Sequence, residues 1–105
     1  MTAGSPPRSR EVEVELANRH GLHLRPATRF AQIAMKFRAE VTVVVDGQEV
    51  NGKSILMLTS LAAERGARLK IRAEGDDAGP CLEALEALVR ERFGEEGAAA
   101  SGTTG

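Results

Sequence analysis

"EVTVVVDGQEVNG", residues 40–52, alternates through Val41, Val43 and Val45 and then meets Asp46-Gly47. Asp-Gly is a favoured pair for the two-residue turn whose backbone twist matches that of paired strands. The stretch therefore reads as a β-hairpin with the three valines toward the core. It falls in the middle of the chain, so whatever flanks it must cover one face of the sheet it starts.

On the N-terminal side, the segment from Leu24 to Arg38 repeats apolar residues at three- and four-residue steps through Phe30, Ala31, Ala34 and Phe37, with Ile33 beside them. That period belongs to an amphipathic helix. Ahead of it, "REVEVELA" at 10–17 puts Val12, Val14 and Leu16 on one face and Glu11, Glu13 and Glu15 on the other, the alternation of a half-buried strand. On the C-terminal side, "SILMLTSLAAERG" at 54–66 reads as a helix opened by Ser54 as cap and closed by Gly66, with Leu58, Leu61 and Ala62 inward. "ARLKIRAEG" alternates through Leu69, Ile71 and Ala73 as a fourth strand. "GPCLEALEALVRERFG", with Pro80 near its start, Gly94 after its end and a stripe of Leu82, Leu85, Leu88 and Val89, is a third helix.

The order is β-α-β-β-α-β-α, every strand offering one apolar face and every helix one apolar stripe. Strands with polar outer faces need cover on one side only. The expected fold is α+β: a four-stranded antiparallel sheet with three helices on one face. Residues 11–94 make one domain; residues 1–10, rich in Gly, Ser, Pro and Arg, and residues 95–105 read as flexible tails.

Composition excludes several function classes. Fourteen Lys and Arg against fifteen Asp and Glu leave a formal charge of −1, and aromatic residues are 3% of the chain. Nucleic-acid binding asks for a basic face and stacking aromatics, so no nucleic-acid partner is expected. One cysteine cannot bridge internally, and no apolar run approaches the roughly 20 residues of a spanning helix. "MTAGSPPRSR" lacks the apolar core of a signal peptide. These features point to a cytoplasmic protein without membrane insertion.

The chemistry concentrates in "NRHGLHLRPATRF", residues 18–30, which holds both histidines of the chain. Pro26 suits a first helical turn, where its missing N–H removes no helical bond. The N–H groups of Leu24 and Arg25 then point out of the helix end, where an anion is favoured by the helix dipole. Arg25 adds a guanidinium that suits phosphate oxygens, and His23 takes the cap position above them. A neutral imidazole is a nucleophile, and phosphoryl transfer asks a protein mainly to hold reacting atoms in line and stabilise charge. The stretch reads either as a phosphoryl acceptor or as a polar loop at a helix start.

"GLHLRPATRF", followed about thirty residues later by "VNGKSILMLTSLAAERGARLKIRAEG", resembles the HPr family, the histidine-containing phosphocarriers of the bacterial phosphoenolpyruvate-dependent phosphotransferase system. The resemblance covers residues 11 to about 94 and keeps the motifs in the family's order. It implies an open-faced β-sandwich, phosphorylation of His23 on Nδ1, Arg25 as its charged neighbour and Ser54 as a site for a regulatory serine kinase. It also implies the general phosphotransferase enzyme (enzyme I) as donor and A-type permease components as acceptors. Leu24 stands where the family usually has a small or short polar residue, and Met57 where many members have glycine. Both flank the expected docking face.

The remaining candidates have plainer readings. His20 and His23 could suggest two metal ligands, but metal sites want three or four, and no Cys or carboxylate shares the loop, so no metal is expected. His20 then shapes or flanks the loop; Asn18 either caps it or reaches toward the phosphate. Ser54 has a full structural role as a helix cap, worth about 1 kcal/mol. Leu24, Thr28, Ile55, Leu56 and Thr59 are the candidate docking residues, Met57 being left open. Cys81 lies on the stripe of the third helix and reads as a buried hydrophobe. Glu74, Asp76 and Asp77 read as a solvated acidic run favouring the start of that helix.

The expected function is a monomeric, stoichiometric phosphoryl carrier without a cofactor and without small-molecule turnover of its own. The alternative is a regulatory module of the same fold whose phosphorylation state controls a transcription factor or enzyme.

Overall fold

The computed structural model describes residues 9–94. Residues 1–8 and 95–105, most of the expected tails, lie outside the described residues. Ser9 and Arg10 do not belong to a tail: they open the first strand, β1 (Ser9–Glu15). The elements follow as α1 (Leu24–Ala34), β2 (Glu40–Val45), β3 (Gln48–Asn51), α2 (Ile55–Ser60), β4 (Arg68–Glu74) and α3 (Ala78–Arg90).

The sheet order is β1-β4-β2-β3, antiparallel at every pairing. Register explains the alternation. Val12 faces Ile71, Ile71 faces Val43 and Val43 faces Val50, so one apolar row crosses all four strands. The neighbouring row, Glu11, Arg72, Thr42 and Asn51, has the opposite orientation, and there Arg72 lies 3.9 Å from Glu11 and 3.4 Å from Glu49. The hairpin turns at Asp46 (φ 51°) and Gly47 (φ 82°), the paired left-handed conformation that favours Asp-Gly.

Three helices cover the apolar face: α3 packs on β1 and β4, α2 on β3, and α1 on both other helices. The core is Phe30, Ala31 and Ala34 of α1, Leu58 of α2, and Cys81, Leu85 and Val89 of α3, set against Val43, Leu69 and Ile71. This is the antiparallel sheet with three helices on one face expected from the element order, and the open-faced β-sandwich that the resemblance implies.

The helix ends depart from the sequence pattern. The first helix stops at Ala34, four residues before Arg38, because tertiary bonds claim the backbone beyond it. Asp77 accepts the N–H groups of Arg38 and Ala39, and Lys53 Nζ donates to the Phe37 carbonyl at 2.8 Å. The second helix ends at Ser60, well short of Gly66. Ala62, with φ 52°, turns the chain out of the helix and is exposed, and Ala63 is the residue that enters the core. Gly66 serves the turn into β4, where its N–H donates to the Leu16 carbonyl and its φ is 94°. Beyond α3, Arg92 and Phe93 (both φ 58°) form a left-handed turn that buries the Phe93 ring.

Candidate functional site

The first helical hydrogen bond of α1 runs from the Ala27 N–H to the His23 carbonyl at 2.9 Å. The N–H groups of Leu24 and Arg25 therefore precede the helical ladder, and Pro26 has none. His23 is the N-cap residue, in extended backbone (φ −83°, ψ −169°), but its side chain takes no part in capping and is exposed. Arg25 is exposed in the first turn of the same helix. Imidazole, guanidinium and helix terminus thus share one end of α1, which is a suitable place for a phosphoryl group.

The loop that delivers His23 is fastened from within. Asn18 is fully buried, and its Nδ2 donates to the Gly21 carbonyl at 2.6 Å while the Gly21 N–H returns to the Asn18 carbonyl at 3.3 Å. Of the two readings left open for Asn18, this is the loop cap. Leu22 is buried and donates its N–H to the Ala63 carbonyl at 2.9 Å. Gly21 has φ 68°, and a Cβ there would stand 2.4 Å from the Ala63 carbonyl oxygen. Only glycine permits that approach. His20 is exposed at the crown of the loop, its ring 5.7 Å from the His23 ring and inclined to it by 83°.

A shallow groove beside this end of α1 is lined by His23, Leu24, Arg25, Thr28, Arg29 and Gln32. Leu24 is 65% exposed. Thr28 is half-buried and donates its hydroxyl to the Leu24 carbonyl at 2.7 Å. Arg29 lies between the groove and the chain's C-terminal turn, donating through Nη1 to the Phe93 carbonyl at 2.8 Å.

Ser54 caps α2 as expected, its hydroxyl oxygen accepting the Met57 N–H at 3.1 Å. Directly after it, Ile55, Leu56 and Met57 are exposed apolar residues, Leu56 at 77%. Thr59 is half-buried and donates its hydroxyl to the Leu56 carbonyl. Because α2 packs against α1, the candidate docking residues belong to two adjoining helices. Met35, just past α1, is also exposed; the helical pattern drew no attention to it.

The structure gives Asp77 more to do than join a solvated acidic run. Its two carboxylate oxygens accept the N–H groups of Arg38 and Ala39, at 2.9 and 2.8 Å. The Arg38 N–H, foremost among several contacts, holds the carboxyl below its ordinary range. No spacing rule links Asp77 to residues nearly forty positions away, so the sequence carried no signal for this contact. Cys81 is buried as expected; burial, then the Asp77 charge, pushes its thiol up. Among the described residues no three His, Cys, Asp or Glu side chains are grouped to hold a metal, and no helix is long and apolar enough to cross a membrane.

Comparison with known proteins converges on one family. Residues 10–91 match the family model described as the PTS HPr component phosphorylation site. The phosphocarrier protein HPr of Neisseria meningitidis serogroup A is 39% identical over 82 residues, which span 78% of this chain and 92% of that one. The HPr-like protein Crh of Bacillus subtilis is 42% identical over 81 residues, 77% of this chain and 95% of its own. The crystal structure of an HPr from Thermoanaerobacter tengcongensis superposes with a TM-score of 0.79 at 42% identity, covering 81% of this chain and 96% of the other.

Proposed function

The chain belongs to the HPr family of phosphotransferase-system components, and from that premise we propose that it is a stoichiometric phosphoryl carrier whose acceptor atom is on His23. The observation that carries the reading is the exposed His23 ring at the N-cap of α1, with Arg25 and two N–H groups outside the helical ladder in the same turn. The imidazole forms a bond to phosphorus as the donor's bond to it breaks. Transfer onward reverses the roles. Arg25 and the N–H groups of Leu24 and Arg25 stabilise the phosphoryl oxygens during both steps.

In this reading the donor is enzyme I and the acceptors are A-type permease components, met through Leu24, Thr28, Ile55, Leu56 and Thr59 by a monomeric carrier. The reaction takes place in the cytoplasm, where a chain with one cysteine needs no oxidising environment. Ser54 is the site of a regulatory serine kinase. The test is incubation with phosphoenolpyruvate and enzyme I: one phosphate is added, labile in acid and stable in alkali, and His23→Ala acquires none. Acid-labile phosphate on His23→Ala would overturn the assignment.

One observation favours a second reading. A relative named HPr-like protein Crh is 42% identical to this chain, comparable to the 39% of one named phosphocarrier HPr. A regulatory module, whose phosphorylation state is read by a transcription factor or enzyme, would show phosphorylation without onward transfer to any A-type component.

A further inference from the structure

The carrier reading leaves His20 without a role, although the fold spends several contacts on the loop that presents it. Asn18 and Gly21 close the loop on itself, Leu22 fastens it to Ala63, and Gly21 allows no Cβ against that carbonyl. A loop fixed this way holds the His20 backbone in one place relative to α1. The side chain itself is exposed, and its ring meets the His23 ring edge to face at 5.7 Å.

Two exposed imidazoles gain little from such a contact alone. A phosphoryl group on a His23 ring nitrogen changes the situation, since it projects beyond that ring and carries close to two negative charges. An imidazole retains at least one ring N–H in either protonation state, so His20 can donate whether or not it is charged. The helix N–H groups and Arg25 approach from the side of α1, and His20 comes from the loop. The two sets of donors are complementary.

We propose that His20 is a second phosphoryl-contacting residue, donating a ring N–H to the oxygens of the group carried on His23. The proposal rests on the reading of His23 as the phosphoryl acceptor. It assigns to His20 stabilisation of the transferring group, with no covalent step and no net proton transfer.

Two substitutions separate this role from packing. His20→Asn removes the ring and keeps an N–H donor, whereas His20→Phe keeps the ring-edge contact and removes the donor. Phosphorylation by enzyme I is followed for wild type and both variants, with thermal unfolding measured alongside and the phosphorylated residue mapped by mass spectrometry. The Phe variant is expected to lose about tenfold in kcat with KM and stability unchanged, and the Asn variant to stay within about twofold of wild type. Its phosphohistidine should also hydrolyse faster in the Phe variant than in the Asn variant. Wild-type transfer by the Phe variant, or an equal or greater loss in the Asn variant, overturns the role of His20 while leaving that of His23 standing. Phosphate mapped away from His23 in the wild-type protein overturns both.

Discussion

Asp77 Oδ1 accepts the Ala39 N–H at 2.8 Å, joining the start of α3 to the segment that leads from α1 into β2. Asp77 Oδ2 does the same for Arg38 at 2.9 Å. Two backbone donors that follow α1 are thereby satisfied by a side chain nearly forty positions later in the sequence. Both bonds need the ionised carboxylate at full strength, which sets a direction for pH dependence.

The Asp77 carboxyl is held below its ordinary value of 3.8 in the folded protein. A depressed carboxyl contributes stability that is complete above the unfolded value and is lost as pH falls through the folded one. Wild type should therefore exceed Asp77→Ala in unfolding temperature by a constant margin near neutral pH, and the gap should narrow at pH values below the ordinary carboxylate range. Thermal unfolding from pH 7 down to pH 2 checks this. A gap that widens on acidification would show that the side chain acts by something other than its charge.

Gly21 ties conformation to sterics at the site itself. With φ 68° and a Cβ position only 2.4 Å from the Ala63 carbonyl oxygen, Gly21→Ala must strain the backbone and push the loop away from the segment after α2. The expected loss is roughly 1–3 kcal/mol, with slower phosphorylation because His23 moves with the loop. Urea unfolding and the enzyme I assay measure the two effects separately. Full stability in the variant would mean that the loop relaxes at no cost.

Arg25 is exposed and makes none of the tertiary hydrogen bonds that secure the loop, so Arg25→Ala should fold with wild-type stability. Transfer should slow on the order of ten- to a thousandfold, since the guanidinium is asked to stabilise charge present mainly during transfer. Unchanged rates at unchanged stability would show that the backbone donors of α1 suffice.

The strands were legible because each has one buried face: Val12, Ile71, Val43 and Val50 form one row, and a one-residue slip would expose it. The start of α1 was legible for a local reason, Pro26 after a polar cap residue. Helix ends were not. Where α1 stops depends on Asp77 and Lys53 binding the backbone that follows it, and where α2 stops depends on Ala63 pairing with Leu22. The approach of the His20 ring to His23 depends on the loop closure through buried Asn18, which periodicity does not encode.

Ser54 separates a structural role from a regulatory one. Its hydroxyl oxygen accepts the Met57 N–H at 3.1 Å, so Ser54→Ala should lose roughly 0.5–2 kcal/mol and leave transfer through His23 intact. Ser54→Asp should still cap, because a carboxylate accepts the same N–H and suits the positive end of a helix. The Asp variant should thus be at least as stable as the Ala variant. Yet its charge stands immediately before Ile55, Leu56 and Met57, apolar residues that a partner must desolvate in order to dock. Transfer from enzyme I should fall in Ser54→Asp, through a raised KM, while its stability holds. Stability and transfer then move in opposite directions between the two variants, which neither a cap alone nor a docking surface alone produces. Thermal unfolding and saturation kinetics for wild type and both variants decide the matter; wild-type kinetics in Ser54→Asp would place the docking face away from α2 and leave Ser54 as a cap.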